Sequence, residues 1–309
     1  MRKVLVGCLA VAALLFGSTV LSGKAGAVID SGTIMPTPNV GLPGEETNQL
    51  LGVSCISATS CTAVGYYDLG VDGNKLMIQA WDGNSWTIAD TPEFGGEHKL
   101  WSVSCVSATS CTAVGFIRTV NSNVDESLVM VSNGNTWSRV ASPNAGNGVS
   151  NELLSVSCLS QTSCVAVGRF ENGIEYDSLA MIWDGSAWTL MSSPNPGDNN
   201  PLESVSCVSA TSCTAVGRYS ADAGGTRETL VLVWDGSTWE VLESPNNGNI
   251  GNTLEAVSCV TDYSCIAVGH YRADSPQTLA LSLVGPTPIP ETTTTTTGSS
   301  DPLVPAFTG

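Results

Sequence analysis

The amino-acid sequence predicts an all-β protein, a five-bladed β-propeller of four-stranded blades. A segment of about 50 residues recurs five times along the chain. Each copy contains short β-rich runs separated by turn residues, and between residues 28 and 285 there is no long stretch with the 3.6-residue periodicity of a helix. Periods near 50 residues are typical of propeller blades, and four-stranded units repeated around an axis form a propeller.

The most regular part of each copy is a motif of the form VSC-x5-C-x-AVG. It occupies residues 53–65, 103–115, 156–168, 205–217 and 257–269, so successive copies begin 49 to 53 residues apart. A repeat of this length and similarity is a specific signal of a repeated structural unit.

Four strands are predicted in each copy. In the fourth copy, VSC and CTAVG form a first hairpin, residues 229–234 (TLVLVW) a third strand, and residues 238–242 (TWEVL) a fourth strand that ends at Ser244-Pro245-Asn246. Asp-Gly between two apolar runs, as at Asp235-Gly236, is a strong hairpin signal.

The fifth copy stops after its third run, residues 279–284, without a Trp-containing fourth run or an SPN ending. Residues 31–39 (SGTIMPTPN) resemble the endings of the other copies. We therefore predict that the N-terminal strand completes the last blade and closes the ring, which removes exposed strand edges. An open array of hairpin modules is the alternative.

Ten cysteines form five C-x5-C pairs, and the eleventh, Cys8, precedes the repeats. Each pair flanks the turn of the first hairpin, where opposed Cβ atoms lie close enough for a disulfide. We predict one disulfide within each blade. Zinc ligation and a thiol redox role are the alternatives, although zinc sites favour a C-x2-4-C spacing. The predicted pairs are Cys55–Cys61, Cys105–Cys111, Cys158–Cys164, Cys207–Cys213 and Cys259–Cys265.

Composition excludes two classes of partner. The chain has 11 Lys and Arg against 28 Asp and Glu, a formal net charge of −17, and only 13% charged residues. Proteins that bind nucleic acid or anionic lipid surfaces need positive charge, so neither partner is expected. An apolar fraction of 42% is enough to build a core.

The two ends of the chain lack the repeat and are not predicted to belong to the propeller. Residues 1–27 have a basic start, an apolar run at 4–21 and the small residues Ala25-Gly26-Ala27, the pattern of a secretory signal peptide. An uncleaved membrane anchor is the alternative. Residues 28–285 form the propeller, and residues 286–309 are a Pro- and Thr-rich disordered tail. We expect a secreted, extracellular monomer, associated with the cell surface if the tail is anchored, and no membrane span after signal cleavage.

The turns between the third and fourth runs read W-D-G-x-x-W in the first, third and fourth copies, as in Trp183-Asp184-Gly185 followed by Trp188. This pattern resembles the Asp-box of sialidase-like propellers, with one residue fewer between Asp and Gly. In that family the box is structural. The Asp is expected to bond turn amides, and seven of the eight Trp (81, 86, 137, 183, 188, 234, 239) are expected in the core, with a role as sugar-binding platforms as the alternative.

The repeats also resemble a group of uncharacterised secreted bacterial proteins that carry VSC-x5-C-x-AVG, W-x-G-x-x-W and SPNP in this order. That resemblance implies a β-propeller and an extracellular location. It implies no activity and no site residues.

Function is expected on the face formed by the 2–3 and 4–1 connections, because these loops vary among the copies while the 1–2 and 3–4 turns repeat closely. The two positions after AVG carry aromatic and basic side chains suited to a sugar or a carboxylate. The alternative is that one position packs between blades and the other is solvated. The predicted ligand-binding residues are Tyr66, Tyr67, Arg169, Arg218, Tyr219, His270 and Tyr271.

Catalysis has weaker support in the sequence. Glu203 and Glu255 precede equivalent strands of neighbouring blades and are the best candidates for a pair of catalytic carboxylates. A sialidase would use an arginine triad, for which Arg169, Arg218 and Arg272 are the candidates. No cofactor and no metal site are predicted. The loop residues Asp68, Asp72, Asp222 and Asp274 suit Ca²⁺, but their spacing matches no calcium loop.

The favoured hypothesis is therefore a secreted, non-catalytic propeller that binds an extracellular glycan or protein on its variable face. A propeller glycoside hydrolase and a purely structural surface protein are the alternatives. Whether the protein is an enzyme is left undecided by the sequence.

Overall fold

The computed structural model describes residues 32–41, 47–70, 73–134, 136–221, 225–248 and 251–285. The chain divides into two compact units, Met1–Met35 and Pro36–Gly309. In the first unit the described residues are 32–35, which have no regular secondary structure and are exposed. The predicted signal peptide and the tail lie outside the described residues, as do Asp72 and Asp222. In the part of the chain that is described, no helix has the length and apolar character needed for a membrane crossing.

Antiparallel sheets, one per repeat, form the second unit, and each sheet is a blade. The strands of the first four blades follow in chain order. Blade 1 contains β1 (Thr47–Ser57), β2 (Ser60–Asp68), β3 (Lys75–Trp81) and β4 (Trp86–Ile88). Blade 2 contains β5 (Glu97–Ser107), β6 (Ser110–Arg118), β7 (Glu126–Ser132) and β8 (Trp137–Val140). Blade 3 contains β9 (Asn151–Ser160), β10 (Ser163–Asn172), β11 (Glu175–Trp183) and β12 (Trp188–Met191). Blade 4 contains β13 (Leu202–Ser209), β14 (Ser212–Ser220), β15 (Arg227–Trp234) and β16 (Trp239–Val241).

Blade 5 has three strands, β17 (Thr253–Thr261), β18 (Ser264–Arg272) and β19 (Pro276–Val284). The all-β fold, the five blades and the shorter last blade are thus confirmed. The described residues contain no helix.

The N-terminal segment makes the contacts of a fourth-strand ending. Val40 exchanges two hydrogen bonds with the side chain of Asn48, at 2.9 and 3.2 Å, as Ala145 does with Asn151 at 2.7 and 3.1 Å. The carbonyl oxygen of Pro38 accepts a bond from Nε2 of the buried Gln79 at 2.8 Å. Residues 36–41 form no ladder with β19, so their pairing as the fourth strand of blade 5 stays a prediction.

The cores lie between successive blades. One apolar cluster joins each pair of neighbours, and the buried side chains at its centre come from both sheets, as with Ile78 of blade 1 and Leu100 of blade 2. The first strands of successive blades also pack on one another, β1 on β5, β5 on β9, β9 on β13 and β13 on β17. These strands therefore line the inside of the propeller.

Serine hydroxyls link these first strands. In each case the hydroxyl oxygen of one blade accepts a hydrogen bond from a backbone N–H of the next blade. The bonds that end at a cysteine N–H are Ser54–Cys105 (3.0 Å), Ser104–Cys158 (3.0 Å), Ser157–Cys207 (3.0 Å) and Ser206–Cys259 (3.1 Å). The serine of the VSC motif is thus an inter-blade contact.

The two end blades lack this contact with each other. In the described residues, β1 and β17 do not pack on one another as the first strands of neighbouring blades do. Val53 on β1 is 63% exposed, and Val260 on β17 is 78% exposed. No described N–H donates to Ser258, the blade 5 counterpart of Ser157. Closure of the ring between blades 5 and 1 stays a prediction.

The glycine of each AVG motif is required by a close backbone approach. A Cβ atom on Gly65, Gly115, Gly168, Gly217 or Gly269 would lie 1.8 to 2.0 Å from a carbonyl oxygen of the neighbouring first strand. This strand position therefore accepts only a residue without a side chain.

The five predicted disulfides are confirmed, and each joins residues that are cross-strand partners, with Cα atoms 4.0 Å apart. They lie next to the 1–2 turns. Five disulfides indicate an extracellular, oxidising environment.

Candidate functional site

The 1–2 and 3–4 turns, which vary little between blades, lock together on one face. In blade 4, Gly236 has a φ of +98°, and a Cβ there would lie 2.7 Å from Cγ2 of Thr211 in the neighbouring turn. The indole N–H of Trp234 donates to the carbonyl of Ala210 in the same turn at 3.2 Å. This face is a scaffold because its repeated residues are used in contacts with each other.

The aspartates of these turns bond backbone amides, as expected. Oδ1 of Asp184 accepts from the N–H groups of Ser186 and Ala187 at 2.8 and 2.9 Å. These bonds lower the pKa of Asp184 to about 2, and equivalent bonds do the same for Asp235. Asn133 accepts from Thr136 at 3.0 Å in the same way in blade 2, so the turn needs the side-chain oxygen rather than the charge.

The paired tryptophans differ in burial. The second Trp of the turn is buried in three blades, as Trp137, Trp188 and Trp239. In blades 1, 3 and 4 the first Trp packs against the second with ring centroids 5.6 to 5.8 Å apart, whereas blade 2 has Ser132 in place of the first Trp. Trp183 and Trp234 lie partly buried at the edges of the inter-blade cores.

The opposite, variable face carries the predicted ligand residues, and its two positions after AVG have different surroundings. Side chains at the second position lie against the inter-blade cores: Ile117, Phe170, Tyr219 and Tyr271. The hydroxyl of Tyr219 donates to Glu228 at 2.6 Å, and this bond raises the pKa of Tyr219 to about 12. In blade 1, burial and then Glu93 raise the pKa of Tyr67.

Side chains at the first position form, with their first-strand neighbours, what we call the inner row. The inner row consists of Tyr66, Lys99, Trp101, Phe116, Glu152, Arg169, Glu203, Arg218, Glu255 and His270. All of them stand at the variable-face ends of the first two strands of their blades.

In blades 3 to 5, the basic residue of the inner row pairs with a carboxylate of its own blade. Arg169 lies 3.0 Å from Glu152, and Arg218 lies 2.6 Å from Glu203. Nδ1 of His270 lies 3.5 Å from Glu255. The two candidate catalytic carboxylates are therefore each bound to a different basic partner.

Burial raises the pKa of Glu152, although the charge and hydrogen bond of Arg169 act in the opposite direction. The Glu152 side chain is 12% exposed. The guanidinium of Arg169 also lies 4.7 Å from the ring centre of Tyr176. Blade 3 thus presents a basic group held between an acid and an aromatic ring.

Blades 1 and 2 supply the aromatic part of the inner row. Nζ of Lys99 lies 4.7 Å from the ring centre of Tyr66, 5.8 Å from that of Trp101 and 6.0 Å from that of Phe116. The Lys99 side chain is 21% exposed. The cation therefore sits among three rings, which is a favourable electrostatic arrangement.

Three N–H donors of the inner row have no hydrogen-bond partner in the described structure. They are Nε1 of Trp101, Nε of Arg169 and Nε of Arg218, on blades 2, 3 and 4. Buried donors are usually satisfied, so each unpartnered one calls for an explanation.

A second polar cluster lies where blades 1 and 2 meet on the variable face. Arg118 forms two hydrogen bonds with Asp125, at 2.8 and 3.0 Å, and one with Glu97 at 3.1 Å. The bonds to Asp125 raise the pKa of Arg118. Beside it lies His98, 2% exposed, whose pKa burial lowers to about 4, with a further contribution from Lys75. A cavity of about 560 Å³ opens between Phe94, Arg118 and Asn121.

No group of three or more His, Cys, Asp or Glu suited to a metal ion occurs among the residues that are described. Oδ1 of Asp68 instead accepts from the N–H of Gly70 at 2.8 Å. Asp274 is exposed in a loop.

Sequence reasoning missed Lys99, Glu152 and Arg227 as parts of the variable face. One signal was available in the sequence. The position four residues before the VSC motif carries Glu152 in blade 3 and Lys99 in blade 2. A change of charge at one repeat position is informative, because a scaffold residue would be kept.

Solved structures that match the chain include the following three. A protein of unknown function from Dyadobacter fermentans is 14% identical, with a TM-score of 0.50 over 74% of this chain and 73% of its own. YCF48 bound to a D1 peptide is 13% identical, with a TM-score of 0.43 over 76% of this chain, and this chain spans 66% of its length. An arabinanase from Bacillus subtilis is 13% identical, with a TM-score of 0.40 over 77% of this chain and 95% of its own. These likenesses concern the fold alone. No family model matches the sequence, and no curated protein matches it.

Proposed function

We propose that the protein is a secreted or surface-associated, non-catalytic propeller that binds an extracellular glycan at the inner row. The observation that carries this proposal is the set of unpartnered donors, Nε1 of Trp101 and Nε of Arg169 and Arg218. These donors are buried, so a ligand hydroxyl would accept from them once the side chains that cover them shift on binding, as interface side chains commonly do.

A glycan suits the inner row because the donors lie beside aromatic rings. Tyr66, Trp101 and Phe116 surround Lys99, and Tyr176 lies against Arg169. Sugars present an apolar C–H face to such rings and hydroxyl oxygens at their edges. Sites that combine apolar walls with a few placed polar groups are typical of small-molecule binding.

The surroundings of Glu203 and Glu255 favour binding over hydrolysis. Glycoside hydrolases use a pair of carboxyl groups, one of which is kept protonated as the acid. Arg218 lies 2.6 Å from Glu203 and His270 lies 3.5 Å from Glu255. Each of the two carboxylates thus faces a basic side chain of its own blade.

Secretion is supported by the signal-like residues 1–27 and by the five disulfides. Disulfides persist in oxidising compartments outside the cytosol. The protein would therefore meet its ligand outside the cell.

A glycan array, run beside a panel of chromogenic glycosides, tests the proposal. Trp101→Phe keeps an aromatic ring but removes the unpartnered N–H, and we expect it to weaken binding of the best array ligand about five- to tenfold. Trp188→Phe is the matched control, because its indole N–H is also unpartnered but lies on the far side of the blade.

The outcomes separate the alternatives. Binding that depends on Trp101 and not on Trp188, without release of chromophore, supports the proposal. Glycoside hydrolysis lost in Glu203→Gln would establish the enzyme instead. If no glycan binds on the array and no glycoside is hydrolysed, the glycan proposal is overturned, and a protein partner or a structural role is favoured.

A further inference from the structure

A cavity of about 360 Å³ lies on the variable face where blades 4 and 5 meet, next to the last member of the inner row. It is lined by Arg227 at the start of β15, by Arg272 at the end of β18, by His270, and by the neighbouring residues Gly225, Thr226, Gly251 and Pro276. Three basic side chains thus border one cavity in a protein of formal net charge −17.

Arg227 and Arg272 differ from the other lysines and arginines of the described propeller, each of which forms an ion pair or a side-chain hydrogen bond. Lys99, Arg118, Arg139, Arg169 and Arg218 form ion pairs, and Lys75 donates to the carbonyl of Gly96. Neither Arg227 nor Arg272 forms an ion pair or a side-chain hydrogen bond with any residue that the structure describes. The acidic neighbour Glu228 is bonded to the hydroxyl of Tyr219 at 2.6 Å.

The equivalent junction between blades 2 and 3 carries the opposite charge. There, the N–H of Asn151 donates to the carbonyl of Asp125 at 2.7 Å, as the N–H of Asn252 donates to that of Arg227 at 2.8 Å. Glu171 follows its AVG motif at the same distance as Arg272 does. The same two backbone positions therefore carry Asp125 and Glu171 at the junction of blades 2 and 3, and Arg227 and Arg272 at the junction of blades 4 and 5.

The connection between blades 4 and 5 contacts both arginines near the backbone, and both residues are exposed. The backbone of Arg227 is fixed by the bond from Asn252. Gly251, with a φ of +67°, leaves no room for a side chain, since a Cβ there would lie 3.1 Å from Cβ of Arg272. The aliphatic part of the Arg272 side chain therefore lies next to Gly251.

Two positive groups at one cavity repel each other unless an anion lies between or beside them. Arginine suits carboxylates in particular, because its planar N–H groups match the two carboxylate oxygens. The cavity is at the small end of ligand pockets, with a size that fits one sugar unit.

We propose that this cavity binds the carboxylate of an acidic sugar unit, so that the glycan bound by the protein is an acidic polysaccharide. The proposal rests on the proposed function and specifies its ligand. Arg227 and Arg272 would bind the carboxylate, and His270, which belongs to both sites, would join the cavity to the inner row. The negative charge elsewhere repels unspecific polyanions, so a local positive site gives selectivity.

The test uses the full mature chain on an array of glycans bearing uronic acids, their methyl esters and neutral sugars. The best uronic-acid ligand and its methyl ester are then titrated by calorimetry. We expect the ester to bind at least tenfold more weakly than the acid. Arg227→Gln with Arg272→Gln should weaken binding of the acid at least tenfold and leave binding of the ester unchanged. Arg139→Gln, which removes an exposed, ion-paired arginine on β8, is the control.

Each result distinguishes the two proposals. Acid and ester bound equally well, with the double variant unchanged and Trp101→Phe weakened, would overturn the acidic ligand and keep the glycan site. An array without any bound glycan would overturn both. Melting temperatures of the variants within a few degrees of the wild type ensure that a loss of binding is not a loss of fold.

Discussion

The hydroxyl oxygen of Ser157 on blade 3 accepts a hydrogen bond of 3.0 Å from the backbone N–H of Cys207 on blade 4. The same bond, between residues of the same motif, recurs at each junction from blade 1 to blade 5. The VSC motif therefore encodes a disulfide within the blade and a bond to the next blade at once.

Ser157→Ala is expected to lower the free energy of unfolding by about 1 to 2 kcal/mol, because the N–H of Cys207 would lose its acceptor in a partly buried place. Chemical denaturation under non-reducing conditions measures the change. Ser258→Ala is the matched variant, since no described residue bonds that hydroxyl, and its cost should be near zero. An equal loss in both variants would mean that blades 5 and 1 are joined through Ser258 in solution.

Gly236→Ala should destabilise the protein by about 2 to 4 kcal/mol, through left-handed backbone strain and a clash with Thr211. The added Cβ would lie 2.7 Å from Cγ2 of Thr211. Gly173 also has a positive φ, +77°, but open space around it. Gly173→Ala should therefore cost only about 1 kcal/mol. Equal melting temperatures for the two variants would contradict the interlock of the turns.

The stability of the protein should depend on the protonation of His98. Its pKa falls from 6.5 to about 4 in the folded state, mainly because of burial. The unfolded chain thus binds the proton more readily, and the stability contributed above pH 6.5 is lost as pH falls to about 4. The loss from this group is at most about 3 kcal/mol.

Unfolding titrations from pH 7.5 to 4 check this dependence. His98→Gln should flatten the pH profile, whereas His270→Gln, at a histidine with 44% of its side chain exposed, should leave the profile steep. Parallel profiles for wild type and His98→Gln would refute the role of His98.

Asp235 should be replaceable by Asn but not by Ala. Its Oδ1 accepts from the N–H groups of Ser237 and Thr238 at 2.7 and 2.8 Å, and Asn133 plays this part in blade 2. The melting temperature should stay near the wild-type value for Asp235→Asn and fall for Asp235→Ala. Because the pKa of Asp235 is lowered from 3.8 to about 2 in the folded state, the stability that its charged form contributes is complete above the ordinary value and is lost progressively as pH falls towards 2. A fall of the same size in both variants would show that the charge, not the acceptor, matters.

Removal of residues 28–40 should destabilise the fold strongly. It takes away the acceptor that Pro38 provides to the buried Gln79, and the clamp between Val40 and Asn48. Gln79→Leu separates the two effects, because it abolishes only the contact with Pro38. An unchanged melting temperature of the truncated chain would refute the prediction that this segment completes blade 5.

The blades, the turns and the disulfides could be predicted because each is local and repeated. Cys207 and Cys213, for instance, are neighbours in one hairpin, whatever the rest of the chain does. The inner row was predicted only in part, because ion pairs depend on strand register. Glu203 lies at an irregularity between Leu202 and Ser204, whereas Glu152 stands directly across from Arg169. Glu152 lies four residues before the VSC motif of its blade and Glu203 only two. Each nevertheless pairs with the arginine that directly follows the AVG motif of its own blade.

The contact between Pro38 and Gln79 illustrates a second limit. A glutamine in the middle of an apolar third strand is unusual, since Met130, Met181 and Leu232 fill the corresponding place in other blades. Only the folded chain reveals that a carbonyl 41 residues away is its partner.

Every disulfide joins cysteines six positions apart in one hairpin. Each thiol therefore finds its proper partner within the shortest loop available to it, while a mispaired bond would have to close a loop of some 40 residues or more between copies. Loop closure favours the shorter loop. Oxidative folding should thus proceed blade by blade, with little need for an isomerase to correct scrambled pairs.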